Sequence, residues 1–448
     1  MKKNIREYFR NLKVAATLLV AVPILSGRYP VSGYAEEKTL RREFDLTQSV
    51  FYAQRNRKEV LLAQKEIEVS RERIKEAISF RYPKIDFGFN YSEVDKNKDY
   101  PAITATDLMI LPPSFGSLIV PKTTRGQYYF MRFSLWQQLY SGGGFTSNLR
   151  LAEKNLTRAE SQLKVVTNDI NFGVAKSFYE LRAIEEKLKQ YEIIISTIEK
   201  FVPSSWDNPN RERLRAIDLF TKLKSEYLIL QNEYRQKKLD FLNTLGLELN
   251  TDFVLKSEFK PTVQEFDLNK LAAWAFEYRQ EPRQKLLQEE MDALGVKLSL
   301  SARSPTITLG AHYEYADENM NFSNRNWNTT LNFNVPIFDG WASGSRVRQK
   351  SLQLEQGQLR RKDIEDSIRL ELRKSYNDYN FWLKELSERE KKYKQYGEMI
   401  ESITDATLLM EVYVSRFQAG LDYISAVYEH LVCRASLEHA VGKPLTTE

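Results

Sequence analysis

The sequence predicts a mainly helical protein with a membrane β-barrel element, built as two repeats of helix, strand, strand and long helical hairpin. Three observations lead there. The opening X-Pro-X-Ile-X-apolar-Gly occurs twice, as Tyr82-Pro83-Lys84-Ile85-Asp86-Phe87-Gly88 and Ser304-Pro305-Thr306-Ile307-Thr308-Leu309-Gly310. Each strand pair closes on an apolar-aromatic-small-Gly joint, Leu139-Tyr140-Ser141-Gly142 and Ile337-Phe338-Asp339-Gly340. A long stretch of helical period follows each joint, and a period of roughly 200 residues is a duplication.

The chain has 448 residues, 42% of them hydrophobic, enough for two or three ordinary domains. Its net charge of +6 sits almost wholly in residues 1–35, where Lys2, Lys3, Arg6, Arg10, Lys13 and Arg28 face only Glu7. The remainder is near neutral, which argues against nucleic acid as a partner. Residues 1–13 form a basic n-region and 14–24 an apolar core too short to span a bilayer. Gly33-Tyr34-Ala35 offers a cleavage site, so 1–35 reads as a signal peptide. The lone cysteine, Cys433, lies far from that site, which excludes an N-terminal lipid anchor and an internal disulfide.

The elements follow in order. Residues 36–83 hold helices, from 45 to 80 with a break near Arg55-Asn56-Arg57, stopped by Pro83. Residues 84–140 hold the first strand pair, with Ile85, Phe87, Phe89 and Tyr91 alternating against polar neighbours and Tyr129, Met131, Phe133 and Leu135 answering them. Helical spacing of three and four then runs through Ile170, Val174, Phe178, Leu181 and Ile184, echoed by Ile368, Leu372, Tyr376 and Tyr379. The first hairpin, 141–246, contains a helix over 145–201, about 85 Å long at roughly 1.5 Å per residue. It turns in a cluster between Pro203 and Pro209 and ends at Gly246. Residues 247–303 form a linker with helices over 268–278 and 284–302; the second strand pair is 304–338, the second hairpin 339–442 and the tail 443–448.

Each strand is about ten residues of apolar and polar alternation rich in aromatics, the pattern of an outer-membrane strand with lipid on one side and water on the other. A half-buried strand of a soluble sheet has the same period, so the strands alone leave both readings open. Four strands cannot close a barrel, and an open edge cannot sit in lipid. Membrane strands here therefore require several chains in one barrel; two would give eight strands with an interior filled by side chains, and three would give twelve and a lumen.

The order of elements, the doubled strand starts and joints, Arg416-Phe417-Gln418-Ala419-Gly420-Leu421 and Leu437-Glu438-His439-Ala440-Val441-Gly442 together make the chain resemble the outer-membrane efflux proteins, the TolC family, over about residues 40–446. The resemblance implies a homotrimer whose twelve-stranded barrel stands in outer-membrane lipid and continues as an α-helical periplasmic tunnel. It implies a channel-tunnel of a tripartite efflux or type I secretion system, localised to the outer membrane. Its partners are a periplasmic adaptor protein and an inner-membrane pump of the RND or ABC type. No reaction and no cofactor are implied, and 247–278 corresponds to an equatorial belt.

The resemblance also points to a periplasmic gate lined by acids. Asp218, in Ala216-Ile217-Asp218-Leu219, matches the first tip motif. Arg416, Phe417 and Gly420 match the second, pointing to Asp422 and Glu429 as gate acids and to these three, with Pro203 and Pro209, as tips that contact the adaptor. The arm lengths disagree: Phe178 to Gly246 and Tyr376 to Gly442 are nearly equal spans, and equal depth places the second turn at Ser402-Ile403-Thr404-Asp405, making Asp405 the gate acid. Both placements stand on the sequence. The rival function is a periplasmic adaptor or structural coiled coil, which would carry one hairpin rather than two. Enzyme motifs are lacking, and His430 and His439, nine apart on a helix, do not share a metal-binding face with each other or with His312.

Overall fold

A computed structural model describes residues 42–93, 127–201, 211–256, 259–317 and 325–445. The signal-peptide reading, the strand link 94–126, the link 318–324 and the turn residues Pro203 and Pro209 lie outside them. The chain divides after Arg42, and the architecture is that of Glu43–Glu448. Six strands are described: β1 (Arg42–Phe44), β2 (Lys84–Glu93), β3 (Gln127–Tyr140), β4 (Phe253–Leu255), β5 (Thr306–Asp317) and β6 (Arg325–Asn334). The helices are α1 (Leu46–Asn56), α2 (Lys58–Ser79), α3 (Gly144–Glu199), α4 (Arg211–Leu245), α5 (Leu268–Tyr278), α6 (Gln280–Ser301), α7 (Ala342–Ile400) and α8 (Ala406–Val441).

Local chemistry explains the starts. Asp45 accepts from Gln48 N at 2.6 Å and Gln48 Oε1 from Asp45 N at 3.3 Å, a reciprocal pair that satisfies two donors with no helical partner. The long helices begin after a repeated device. Ser141 Oγ accepts from Phe145 N at 3.1 Å, and Asp339 Oδ2 from Ser343 N at 2.8 Å. Between cap and helix lie two left-handed residues, Gly142 and Gly143 in the first repeat, Gly340 and Trp341 in the second. Gly142 is obligatory on two counts: its φ is +59°, and an added Cβ would lie 2.1 Å from Ser304 Cβ.

The helices lie in two arrays of four. Near the sheet, α2, α3, α6 and α7 lie side by side; farther away the order is α4, α3, α8 and α7. The long α3 and α7 thus run through both arrays, while α2 meets α4, and α6 meets α8, end to end. Each meeting has its own core. Phe44, Val174, Phe178, Leu181, Phe241 and Leu245 form one; Leu271, Ile368, Leu372, Tyr379, Leu437 and Val441 form the other. Val174, Phe178 and Leu181 in the first core, and Ile368, Leu372 and Tyr379 in the second, belong to the stripe whose three-and-four spacing marked the long helices in the sequence.

Three readings are corrected. Helix α6 starts at Gln280, not 284, because Pro282 falls in the first turn, where its missing N–H costs nothing. The stretch read as linker contains β4, which pairs with β1, Lys256 N donating to the Phe44 carbonyl at 2.8 Å. The second hairpin reverses at Glu401–Asp405, so Arg416, Phe417 and Gly420 are not at a tip but inside α8.

Candidate functional site

β2, β3, β5 and β6 form one antiparallel sheet in that order, so among the described residues β2 and β6 present unpaired edges. Register builds two unlike faces. Phe87, Phe133, Tyr313 and Trp327 stand opposite one another across all four strands. The rings of Phe87 and Phe133 are 4.7 Å apart. This face is bare: Ile85 is 71% exposed, Trp327 72% and Phe333 66%.

The other face is polar. One row reads Asp86, Ser134, His312, Asn328; the next reads Gly88, Arg132, Glu314, Asn326. Arg132 Nη2 meets Glu314 Oε1 at 2.6 Å, and His312 Nδ1 lies 3.1 Å from Ser134 Oγ. The Trp136 ring lies over Gly310, where a Cβ would come within 2.9 Å of it.

The helix meetings are held by a duplicated arginine. Arg57 donates to the Asn243 carbonyl at 3.0 Å and pairs with Glu59 at 2.7 Å. Arg279 donates to the Ala440 carbonyl at 3.4 Å and pairs with Glu281 at 2.7 Å. Each is the extended residue between two short helices and meets the carbonyl end of a returning helix, where positive charge is favoured. The second joint carries more charge. Glu371 Oε2 accepts from Arg279 at 2.7 Å, and His439 lies between Asp169, at 2.8 Å, and Glu371, at 3.7 Å. The His439 imidazole, then the Arg279 guanidinium, pull the Glu371 carboxyl down to about 2 against the effect of burial. Glu371, then Asp169, hold His439 above its ordinary value. A cavity of about 730 Å³ adjoins this cluster. His430 is fully buried, its Nε2 donating to the Thr262 carbonyl at 3.1 Å; burial pushes its pKa down.

The acids expected at the gate are not brought together within one chain. Asp218 is exposed on α4 near its start, and Asp405 is exposed at the start of α8. Asp422 accepts from Gln418 at 3.5 Å and Glu429 is half-buried. At roughly 1.5 Å per residue these two lie about 26 and 36 Å up α8 from Asp405. Phe417 is buried with its ring 4.8 Å from Tyr191, packing the second hairpin on the first. Arg416 stacks on Tyr393 at 5.4 Å. Gly420 leaves room for the same ring, which an added Cβ would meet at 3.1 Å.

No protein-family model matches the chain, and no curated protein matches it in sequence. Solved structures do match. The outer membrane protein VceC of Vibrio cholerae aligns over 90% of this chain and 97% of its own, at TM-score 0.71 and 12% identity. The open-state MtrE outer membrane channel of Neisseria gonorrhoeae covers 89% of both chains at TM-score 0.74 and 13% identity. The Campylobacter jejuni CmeC outer membrane channel covers 89% and 85% at TM-score 0.69 and 14% identity. The chain has the fold of these outer-membrane channels.

Within this outer-membrane-channel fold, the arginine joints escaped the sequence reading. A signal was present: Arg57-Lys58-Glu59 and Arg279-Gln280-Glu281 stand at corresponding helix breaks of the two repeats. His439 offered none, because its partners Asp169 and Glu371 are remote in the chain. Among the described residues no helix is long and apolar enough to cross a membrane, and no His, Cys, Asp and Glu group could hold a metal.

Proposed function

We propose that the chain is one subunit of a homotrimeric outer-membrane channel-tunnel that passes solutes or proteins from an inner-membrane pump to the exterior. One observation carries this reading: a four-stranded sheet with a bare aromatic face, a polar opposite face and two unpaired edges stands at the end of two long helical hairpins. An apolar face of that kind is unstable in water. Unpaired edges are unstable in lipid. Both difficulties vanish when three copies join edge to edge with the aromatic rows outward, giving twelve strands around a polar lumen. The Asp86–Asn328 and Gly88–Asn326 rows then face water.

The hairpins extend away from the sheet as the wall of a periplasmic tunnel, closed by neighbouring copies. Their turns contact a periplasmic adaptor, and three copies of an exposed acid near the turns narrow the mouth. The conduit performs no reaction and uses no cofactor. A periplasmic adaptor is a poorer fit, because the two hairpins alternate with strand pairs that form one sheet. Fractionation tests the reading: the mature protein stays with outer membranes through a carbonate wash. Release by that wash refutes it.

A further inference from the structure

The two repeats meet inside one chain where α8 lies between α3 and α7. At that seam one imidazole faces two carboxylates on different helices. His439 Nε2 lies 2.8 Å from Asp169 Oδ1 on α3, and His439 Nδ1 lies 3.7 Å from Glu371 Oε1 on α7. Beside them Asn168 Nδ2 donates to the His439 carbonyl at 3.1 Å, and the Phe172 ring lies 5.2 Å from the imidazole. Since α3 belongs to the first repeat and α7 to the second, the row Asp169, His439, Glu371 spans the division between them.

The row suits one protonation state. An imidazolium offers two N–H groups, one to each carboxylate; a neutral ring offers one, and turns a lone pair toward the carboxylate it does not serve. Loss of one proton therefore removes a link between α3 and α7, whichever carboxylate keeps the remaining N–H. Water reaches the ring from the cavity of about 730 Å³ that it helps to line. The other charged groups around that space are engaged or stand apart. Arg279 is held by Glu371 and Glu281, Glu438 by Arg434, and Lys443 by the rings of Trp274 and Tyr278. Lys164 of α3 also lines the cavity, and α1 contributes the uncharged Leu46, Thr47 and Val50. Of all these groups the imidazole is the one whose ordinary pKa lies near neutrality. Glu371, then Asp169, hold it above 6.5 against burial, so its proton leaves on the alkaline side of that value.

The first repeat is built differently at this level. Three residues before the closing glycines Gly442 and Gly246 stand His439 and Asn243. Five residues before the matched Tyr376 and Phe178 stand Glu371 and Gly173; nine before them stand Ser367 and Asp169. The arginine joint is common to both repeats, whereas the titratable row occupies the seam inside the chain.

We propose that Asp169, His439 and Glu371 form a proton-operated strap from α3 through α8 to α7, tight while His439 is protonated and slack once it is neutral, so that the tunnel widens at the level of the helix meetings. The strap stands on this geometry alone; the widening rests on the channel reading, and the test separates them. Hydrogen exchange of the full-length mature protein in detergent is followed by mass spectrometry at pH 6.5 and pH 9, as protection factors that remove the intrinsic effect of pH. His430, lowered by burial, titrates below this range. Wild-type peptides containing Asp169 or Glu371 lose protection by roughly threefold at the higher pH, the scale of one part-exposed ion pair. In His439→Gln they do not. Asp169→Asn, a change at an exposed side chain, removes the response from α3. A pH response that persists in both variants, or that is lacking in the wild type, refutes the strap. In planar bilayers, wild-type conductance rises from pH 6.5 to pH 9, while that of His439→Gln starts higher and stays level. The exchange response without the conductance step refutes the widening and leaves the channel reading standing. The exchange response in a protein that forms no channel overturns that reading together with the widening, and supports the strap.

Discussion

Arg279 and Glu371 meet at 2.7 Å, so the break between two short helices is held by a carboxylate on the long helix behind it. The Arg279 side chain is 6% exposed, while Glu371 is 41% and Glu281 23% exposed. Removing a buried partner strands the others, at several kcal/mol in a dry site. Water reaches both carboxylates, which discounts that figure. Arg279→Ala is expected to lower stability by roughly 2 kcal/mol, and Arg57→Ala, at a joint without the Glu371 counterpart, by roughly 1. Thermal melting of the two variants in detergent measures the difference; equal losses would contradict the role given to Glu371.

Acidity acts on the same joint in a stated direction. The folded pKa of His439 is raised above its ordinary 6.5 by Glu371 and Asp169. Its contribution is therefore complete below pH 6.5 and is lost as pH rises through the folded value. His430 has the opposite sign: burial lowers it, so protonation of the unfolded chain below 6.5 costs stability. The melting difference between wild type and His439→Gln should shrink as pH rises from 6 to 8, and that between wild type and His430→Gln should not. Glu371, at about 2 against 4.5, contributes stability above pH 4.5 that is lost as pH falls towards 2.

The strand-to-helix turns give a graded steric test. Gly142→Ala combines left-handed strain with a 2.1 Å clash on Ser304, whereas Gly143→Ala meets open space. The expected losses are about 3 kcal/mol or more for the first and about 1 for the second. Melting midpoints of the purified assembly rank them; the reverse ranking would show that Ser304 moves aside.

Much of the architecture was legible because its signals are local and repeated. Proline and glycine punctuate both strand pairs, and the alternation through Ile85 and Phe87 names the face that is bare in the structure. The core stripe from Ile170 to Leu181 has a visible echo from Ile368 to Tyr379. The short strands β1 and β4 were not legible, since three residues show no period. The expected start of α6 at 284 fell four residues late, past Pro282, which sits in the first turn. The motif at Arg416–Gly420 misled differently. Its glycine suits the approach of the Tyr393 ring as well as it would suit a turn, whereas the equal lengths of the arms and the Ser-x-x-Asp spacing pointed to Ser402–Asp405. Ser402 in fact closes α7, its Oγ donating to the Met399 carbonyl at 2.9 Å, while the Asp405 carbonyl accepts from Leu409 N at 2.8 Å at the start of α8.

That placement separates the gate candidates. Asp218 and Asp405 lie exposed near the free ends of their hairpins; Asp422 and Glu429 lie farther up α8. In the proposed trimer, three copies of one acid bring like charges together and attract cations. In planar bilayers, Asp218→Ala and Asp405→Ala should raise single-channel conductance and reduce cation preference more than Asp422→Ala or Glu429→Ala does. Larger effects from the latter pair would move the constriction away from the turns.

The central claim is that four strands per chain are completed by sister subunits. Native mass measurement of the mature protein in mild detergent tests it most directly. Three copies per particle, with loss of channel activity when they dissociate, is the predicted result. A single copy that conducts ions unaided would contradict it.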